Sequence, residues 1–506
     1  MDIARAAEEA ARIAQGWRDE GGPGGALILF DRDGIRAEHA GGFANLEHAV
    51  PFTPDTLNRW ASITKHIFCA TLFKDGRIPF GDSLGAHAQG LSPALAAVTV
   101  EDALGMSGGV PDLMETSWLL GVPPTAGTTQ DGLRAFARRL TALNFAPGEE
   151  VSYTNTGYLL VEAALEAKGT SFADALATQL TGPLGLTMHY PTDYGVVTPG
   201  LAHGYWKSAD GWRRGVYGVR FSASGGIAGS GRTLAEWLRV MLRGEGPMQG
   251  VLDWLSVPRA LASGTATNYA RGLAVHRVAG QRFFGHGGSL PGYKDHFLIH
   301  PESGTGLVIV CNREEVDPYL LALRVMLAGA GTALPGAAEG VLPDGLFAAE
   351  DGSPFWIETA GARTTFLGAQ QPMFRSPDGG AMTLSPYMAM ALRAEGDVVA
   401  GHVGHVKRRF ARVPAGLAPD PSWAGRYVLP ELSASLEIAV ENGTATLLQG
   451  VGPLAAAYPL EPIGAGRALF RRGDAQWSQR PCLHFTGDGV RLVANRSRIL
   501  VFTRVA

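Results

Sequence analysis

Six lysines stand among the 43 basic residues of this 506-residue chain, so each lysine carries more information than usual. Lys65 follows Ser62 by three positions in the segment WASITKHIF, and no other Ser-x-x-Lys occurs. Residues three apart share a helix face, so the lysine amine comes within reach of the hydroxyl, and a serine in the first helical turn also feels the positive end of the helix dipole. A lysine made neutral by burial or by neighbouring positive charge can take the serine proton and turn an ordinary hydroxyl into a nucleophile. A second pair, Tyr153 and Asn155, lies in FAPGEEVSYTNTGY, a loop that feeds straight into a helical pattern. Such a loop aims two side chains into a cleft. Chance supplies about 0.3 Ser-x-x-Lys and about 0.2 Tyr-x-Asn matches at this composition. His286-Gly287-Gly288 is a weaker third element, because His39-Ala40-Gly41 and His402-Val403-Gly404 share its pattern.

Competing chemistries need geometry that the sequence does not offer. Gly105-x-Ser107-x-Gly109 has the spacing of a nucleophile elbow, but Pro111 and Asp112 follow where the helix must begin. His402 with His405, and His296 with His300, lack a third ligand at sensible spacing, so the expectation is no metal and no cofactor.

The elements that must hold these residues follow from pattern. MDIARAAEEAARIAQGW reads as an amphipathic helix rather than a signal peptide. A strand pair follows over 24–45, with a charged turn at 31–34. Helices are expected over 62–74, 132–143, 156–168, 172–180 and 233–243, several closed by a glycine. Strands return at 272–278, 281–285, 296–300 and 306–312 before a helix at 318–327. The order implies an antiparallel sheet completed by both ends of a domain, with a nearly all-helical insertion between them. GAGTALPGAAEG (329–340) has the composition of a linker, and beyond it the chain is strand-rich, with hairpins at Asn442-Gly443 and Ser376-Pro377-Asp378-Gly379. The expected bounds are 1–331, 339–414 and 417–506, the last two pieces having the size of small antiparallel barrels or sandwiches.

Hydrophobic residues make up 46% and charged residues 18%, the net charge is −4, and no basic run occurs. A nucleic-acid partner and a membrane surface are thereby disfavoured. Three widely spaced cysteines suit a reducing compartment, hence a cytoplasmic, soluble protein.

Taken in order, Ser62-x-x-Lys65, Tyr153-x-Asn155 and His286-x-Gly288 resemble the motifs of the serine β-lactamase and penicillin-binding-protein superfamily, in its class C-like branch of esterases, carboxypeptidases and D-aminopeptidases. Met106 to Asp112 looks like that branch's loop before its helical region, and the resemblance covers residues 1 to about 331. It implies an α/β β-lactamase-like catalytic domain, an antiparallel sheet flanked by helices plus a helical region. It also implies acyl transfer through Ser62, with Lys65 and Tyr153 taking the proton and Tyr153 returning it to the leaving amine. The same resemblance gives an oxyanion hole from the N–H groups of Ser62 and Gly288, Asn155 on the substrate amide, and His286 tuning the tyrosine and contacting a carboxylate or amide. A catalytic domain followed by two strand-rich domains is similar to the D-stereospecific aminopeptidases of this superfamily. That likeness implies two eight-stranded antiparallel barrels, a possible homodimer, and a loop from the last barrel that reads the substrate's amino group, here 470–481 with Asp474. The expected reaction is removal of N-terminal D-residues, D-alanine foremost, from short peptides, amides or esters. An esterase, amidase or D,D-carboxypeptidase on the same nucleophile is the alternative, and a non-catalytic binder of peptide or β-lactam is a second.

Overall fold

The computed structural model describes residues 1–473 and 478–505. Helix α1 (Ile3–Glu20) is followed by strands β1 (Gly25–Asp31) and β2 (Ile35–Gly41), then by helices α2 (Thr64–Asp75), α3 (Leu113–Leu119), α4 (Thr156–Ala167) and α5 (Gly231–Arg243). Strands β3 (Ala274–Val278), β4 (Gln281–Leu290), β5 (Tyr293–His300) and β6 (Thr305–Cys311) and helix α6 (Pro318–Gly329) complete this part. The six strands form one antiparallel sheet in the order β2-β1-β6-β5-β4-β3, with Leu27 opposite Ile309, so the two ends of the segment meet at its centre. β1 reads ALILF because both its faces are covered. Leu27 and Leu29 pack with Ala10, Trp17 and Met326 of α1 and α6, whereas Ala26 and Ile28 face α2 and the helical region.

The helical region is not purely helical. Short ladders join Leu57–Arg59 to Ala228–Ser230 and Tyr205–Ser208 to Gly211–Arg214. The helix expected over 132–143 is Gln130–Arg138, and that over 172–180 is Phe172–Leu176 followed by a single π turn. β4 runs five residues past the expected end at Gly285, because its Gly-rich half still pairs with β5 as far as Leu290 opposite Tyr293.

Two nine-stranded antiparallel sheets follow, one between Gly345 and Arg412 and one between Gly425 and Arg504. Each curls into a nearly closed barrel, since the strands at its two edges are consecutive in sequence: Ala369–Pro372 with Phe374–Arg375, and Ala456–Pro459 with Glu461–Gly464. Prolines 372, 459 and 462 stand at these seams, and proline cannot donate to a ladder. The strand number is nine where eight was expected. Asn442 and Gly443 both take positive φ, as a two-residue hairpin turn requires.

Both barrels are clasped to the helical region through one buried carboxylate. Glu150 accepts from Arg408 of the first barrel at 2.7 Å and from both terminal nitrogens of Arg498 of the second at 3.0 Å. Asn144 adds two bonds, from its Nδ2 to Arg496 O and to its Oδ1 from Arg498 N–H. Removing one partner of a buried ion network leaves charge uncompensated, at about 3–5 kcal/mol. Glu150→Ala is therefore expected to lower stability by about that amount in denaturant unfolding; a loss under about 1 kcal/mol would show that the clasp contributes little.

Candidate active site

Ser62 sits in a single 3₁₀ turn, Ala61–Ile63, that enters α2. The preceding Ala61 has φ 47°, a left-handed conformation that an alanine adopts only under constraint. α2 is buried along every face from Thr64 to Leu72 and ends at Gly76, also left-handed. A helix so enclosed carries Lys65 into the interior. The Lys65 Nζ lies 3.0 Å from Ser62 Oγ, 2.8 Å from Asn155 Oδ1 and 2.6 Å from the carbonyl of Ser224. Burial holds this amine well below the ordinary lysine range, with Asp112 opposing and Arg496 reinforcing the shift. A neutral amine has two N–H donors and one lone pair. Two of its three neighbours can only accept, so the lone pair is left for the serine O–H.

Asn155 caps α4, yet its side chain makes no capping bond. It spans instead from Lys65 to Asp112, donating through Nδ2 to Asp112 Oδ2 at 2.9 Å, while its backbone N–H donates to the same oxygen. The other oxygen of Asp112 accepts from the N–H groups of Met114 and Glu115 and caps α3. Asp112 thus fixes the Asn155 amide with its oxygen towards Lys65. Tyr153 places its phenol within hydrogen-bonding reach of Ser62, and burial pushes its pKa above the ordinary tyrosine value. Its ring lies 4.9 Å from the Lys65 amine.

β4 supplies the opposite wall. Gly287 N–H leaves the sheet and donates to the hydroxyl of Tyr387, a first-barrel residue, at 2.7 Å. Alternation along an antiparallel strand then turns the Gly288 N–H back towards β5 and the Ser289 N–H to the free edge beside Ser62. Gly288, expected as an oxyanion donor, answers a different need. A Cβ there would stand 2.1 Å from the carbonyl oxygen of Trp60, so only glycine lets β4 approach the Ser62 turn. His286 is buried beside Tyr153, but its Nδ1–H is given to Gly287 O at 2.7 Å and its Nε2 accepts from Tyr269 at 2.9 Å. Both nitrogens are engaged, leaving neither for the substrate carboxylate or amide expected there. Burial holds this imidazole well below the ordinary histidine range.

A cleft of about 520 Å³ opens over these groups, lined by α3, β4 and loops of both barrels. A smaller recess of about 70 Å³ beside Ser62 is lined by Leu113, Leu133, Leu159, Val219 and Phe221 among others. Glu115 and Arg496 are two of the charged residues lining the cleft that the motifs did not reveal. Glu115 has its carboxyl pushed up to about 7 by burial, against the pull of Arg496. Arg496 sits on the second-barrel loop between Gly489–Val493 and Leu500–Arg504, its guanidinium 4.8 Å from the centre of the Tyr153 ring. Asp474 lies outside the described residues; the adjoining 478–480 line the cleft, and Arg472 donates to the carbonyls of Trp118 and Leu119. Ser107 is wholly buried and donates to Asp102, with no strand before it. Among the described residues no three metal-ligating side chains converge, and no helix is long and apolar enough to cross a membrane.

A serine, a buried amine and a buried phenol held between a helical region and an antiparallel sheet place the protein among the serine hydrolases. Residues 10–330 match the beta-lactamase family model, and the chain belongs to that family. It is 26% identical to a D-aminopeptidase of Brucella melitensis over 83% of this chain and 82% of that one. It is 27% identical to a D-aminopeptidase of Gluconobacter oxydans over 58% of this chain, spanning 56% of that protein's length. Among solved structures, the octameric penicillin-binding protein homologue from Pyrococcus abyssi superposes with a TM-score of 0.56 at 18% identity, over 99% and 100% of the two chains. The D-amino acid amidase of Ochrobactrum anthropi SV3 gives 0.52 at 22% identity, over 62% of this chain and 92% of that one.

Gly288→Ala tests the close approach directly. Forcing a methyl against a carbonyl oxygen is expected to cost about 1–3 kcal/mol in stability and to slow acylation of Ser62 by p-nitrophenyl acetate at least about tenfold. A variant that acylates at the wild-type rate would show that β4 and the Ser62 turn can separate freely.

Proposed function

We propose that the chain is a cytoplasmic aminopeptidase that removes N-terminal D-residues, D-alanine favoured, from short peptides, amides and esters through an acyl-enzyme on Ser62. The observation that carries the reading is the Lys65 amine, buried, depressed in pKa and left with one lone pair facing Ser62 Oγ. In the forward step Lys65 takes the serine proton as Oγ bonds to the substrate carbonyl carbon. The Ser62 and Ser289 N–H groups receive the oxyanion, each worth about 3 kcal/mol in the transition state. As the carbon–nitrogen bond breaks, Tyr153 gives its phenolic proton to the leaving amine and is reprotonated by Lys65, which returns the proton it took from Ser62. Water then attacks the ester with the same groups acting in reverse. Asn155 and Asp112 position the lysine, and His286 with Tyr387 positions the β4 edge. The catalytic unit spans 1–331, with barrels at 339–414 and 417–506 closing its cleft.

The aminopeptidase part rests on the two similar D-aminopeptidases and on Glu115, a carboxyl in the cleft suited to a substrate ammonium. The apolar recess beside Ser62 fits a small aliphatic side chain. A homodimer belongs to the same proposal, and sedimentation of the purified chain checks it.

Hydrolysis of D-alanine and L-alanine p-nitroanilides provides the test. Release from the D form alone, reduced at least about a thousandfold in Ser62→Ala, is the expected result; equal release from both forms, or release that survives the substitution, would sink the reading. Glu115 makes a pH prediction. Its raised pKa keeps it protonated below about 7 and ionised above, so KM for the D-alanine substrate should fall as pH rises from 6 to 8. The fall should vanish in Glu115→Gln, and its persistence there would assign it to another group.

A further inference from the structure

The cleft is lined by three lysine or arginine side chains, and two are already neutralised. Lys294 pairs with Glu314 at 2.9 Å, and Arg480 pairs with Glu358 and Glu461. Arg496 enters no ion pair among the described residues. Its charge is nonetheless held in place, because the loop that carries it is bolted to the helical region by backbone. Arg496 N–H donates to Glu115, and its carbonyl accepts from Asp112 N–H and from Asn144 Nδ2, both at 2.9 Å. On either side, Ser497 Oγ accepts from Thr116 at 2.8 Å and Arg498 holds Glu150. None of these bonds uses the Arg496 guanidinium, which is offered to the cleft from a fixed base and stacks on the Tyr153 ring. Glu115 is near enough to feel it but lies outside ion-pair contact.

A planar guanidinium fork matches a carboxylate in two parallel hydrogen bonds. Its place on Tyr153 decides which carboxylate. Tyr153 protonates the departing nitrogen, and in a dipeptide the free carboxylate is attached to the carbon bonded to that nitrogen. A longer peptide carries its carboxylate at least one residue, about 3.5 Å, further away. An amide or an anilide has none. Resting on the D-aminopeptidase reading, we infer that Arg496 receives the α-carboxylate of the leaving amino acid, so that dipeptides with a free C-terminus and a D-residue at the N-terminus are the preferred substrate class. The covalent chemistry is unchanged: the peptide carbon–nitrogen bond breaks, the acyl group passes to Ser62 and then to water, and the released amino acid leaves with its carboxylate on the guanidinium.

The test compares D-Ala-D-Ala with D-Ala-D-Ala amide in the full chain, alongside D-alanine p-nitroanilide. The free acid is expected to exceed the amide at least tenfold in kcat/KM, chiefly through KM. Arg496→Gln should bring the ratio close to one, and Arg496→Lys, which keeps the charge but not the fork, should retain part of it. A side chain that merely supports Tyr153 would lower both rates and leave the ratio alone. A wild-type ratio near one, or a ratio unchanged in Arg496→Gln, overturns the assignment. The anilide reports the aminopeptidase reading by itself: its turnover with an acid-to-amide ratio of one discards the carboxylate site and spares that reading. If none of the three is turned over, calorimetric binding of free D-alanine and D-alaninamide decides. Tighter binding of the acid, weakened at least tenfold in Arg496→Gln, supports the site, while equal binding or none overturns it.

Discussion

Everything near Ser62 is arranged around the burial of one lysine. An ammonium taken out of water without a counter-ion in contact is costly enough to shed its proton, and among the described residues no carboxylate oxygen is hydrogen-bonded to Lys65. The protein meets the amine with neutral acceptors, an amide oxygen and a backbone carbonyl. Each is itself held. Asp112 turns the Asn155 amide, and the segment that presents the Ser224 carbonyl is tied by Ala223 N–H to the buried Glu162 at 2.9 Å. Glu162 in turn accepts from Tyr190 and has its carboxyl raised to about 7 by burial. The electrostatics of one amine thus reaches across α4 and the loops on both sides of it.

The second constraint is a distance. The Ser62 turn and β4 belong to parts of the chain more than 200 residues apart, and they meet where a methyl would not fit. Gly25 makes a comparable approach in the sheet, where a Cβ would stand 2.5 Å from the carbonyl of Val310. Interfaces this tight admit no sliding. That rigidity is what allows Ala61 to be kept left-handed, because strain of this kind persists only where surrounding structure over-determines it.

Much of this was legible in the sequence. Period-two and helical patterns located every strand of the catalytic sheet and its flanking helices, and Asn442-Gly443 announced its hairpin. Rare residue pairs drew attention to Ser62, Lys65, Tyr153 and Asn155. What the sequence concealed was direction and distance. His-Gly-Gly looked like the end of a strand, since glycine weakens strand patterns, yet here it marks close contact within one. Which N–H of β4 faces Ser62 depends on register, which a motif does not carry. Asp112 was visible as part of a loop, but its role emerges only when α3 and α4 are brought side by side. Glu115, Tyr387 and Arg496 had no local signal at all: one sits in an ordinary helix turn, and the others come from barrels whose loops reach the cleft by tertiary contact alone.

The distribution of charge explains why the barrels are attached. The groups deepest in the site, Lys65, Tyr153 and His286, are all driven towards neutrality by burial. Such a site has little to offer a charged substrate at long range, because desolvated neutral dipoles act only at contact. Formal charge is supplied from the edge, by Arg496 on the second barrel and, above about pH 7, by Glu115 on α3. These two do not act independently of the chemistry. The Arg496 backbone carbonyl accepts from Asp112 N–H, and Asp112 orients the Asn155 that holds Lys65. A shift of the barrel loop would therefore move the charges proposed to meet the substrate and disturb Lys65, the base proposed to activate Ser62, so both would share one mechanical support.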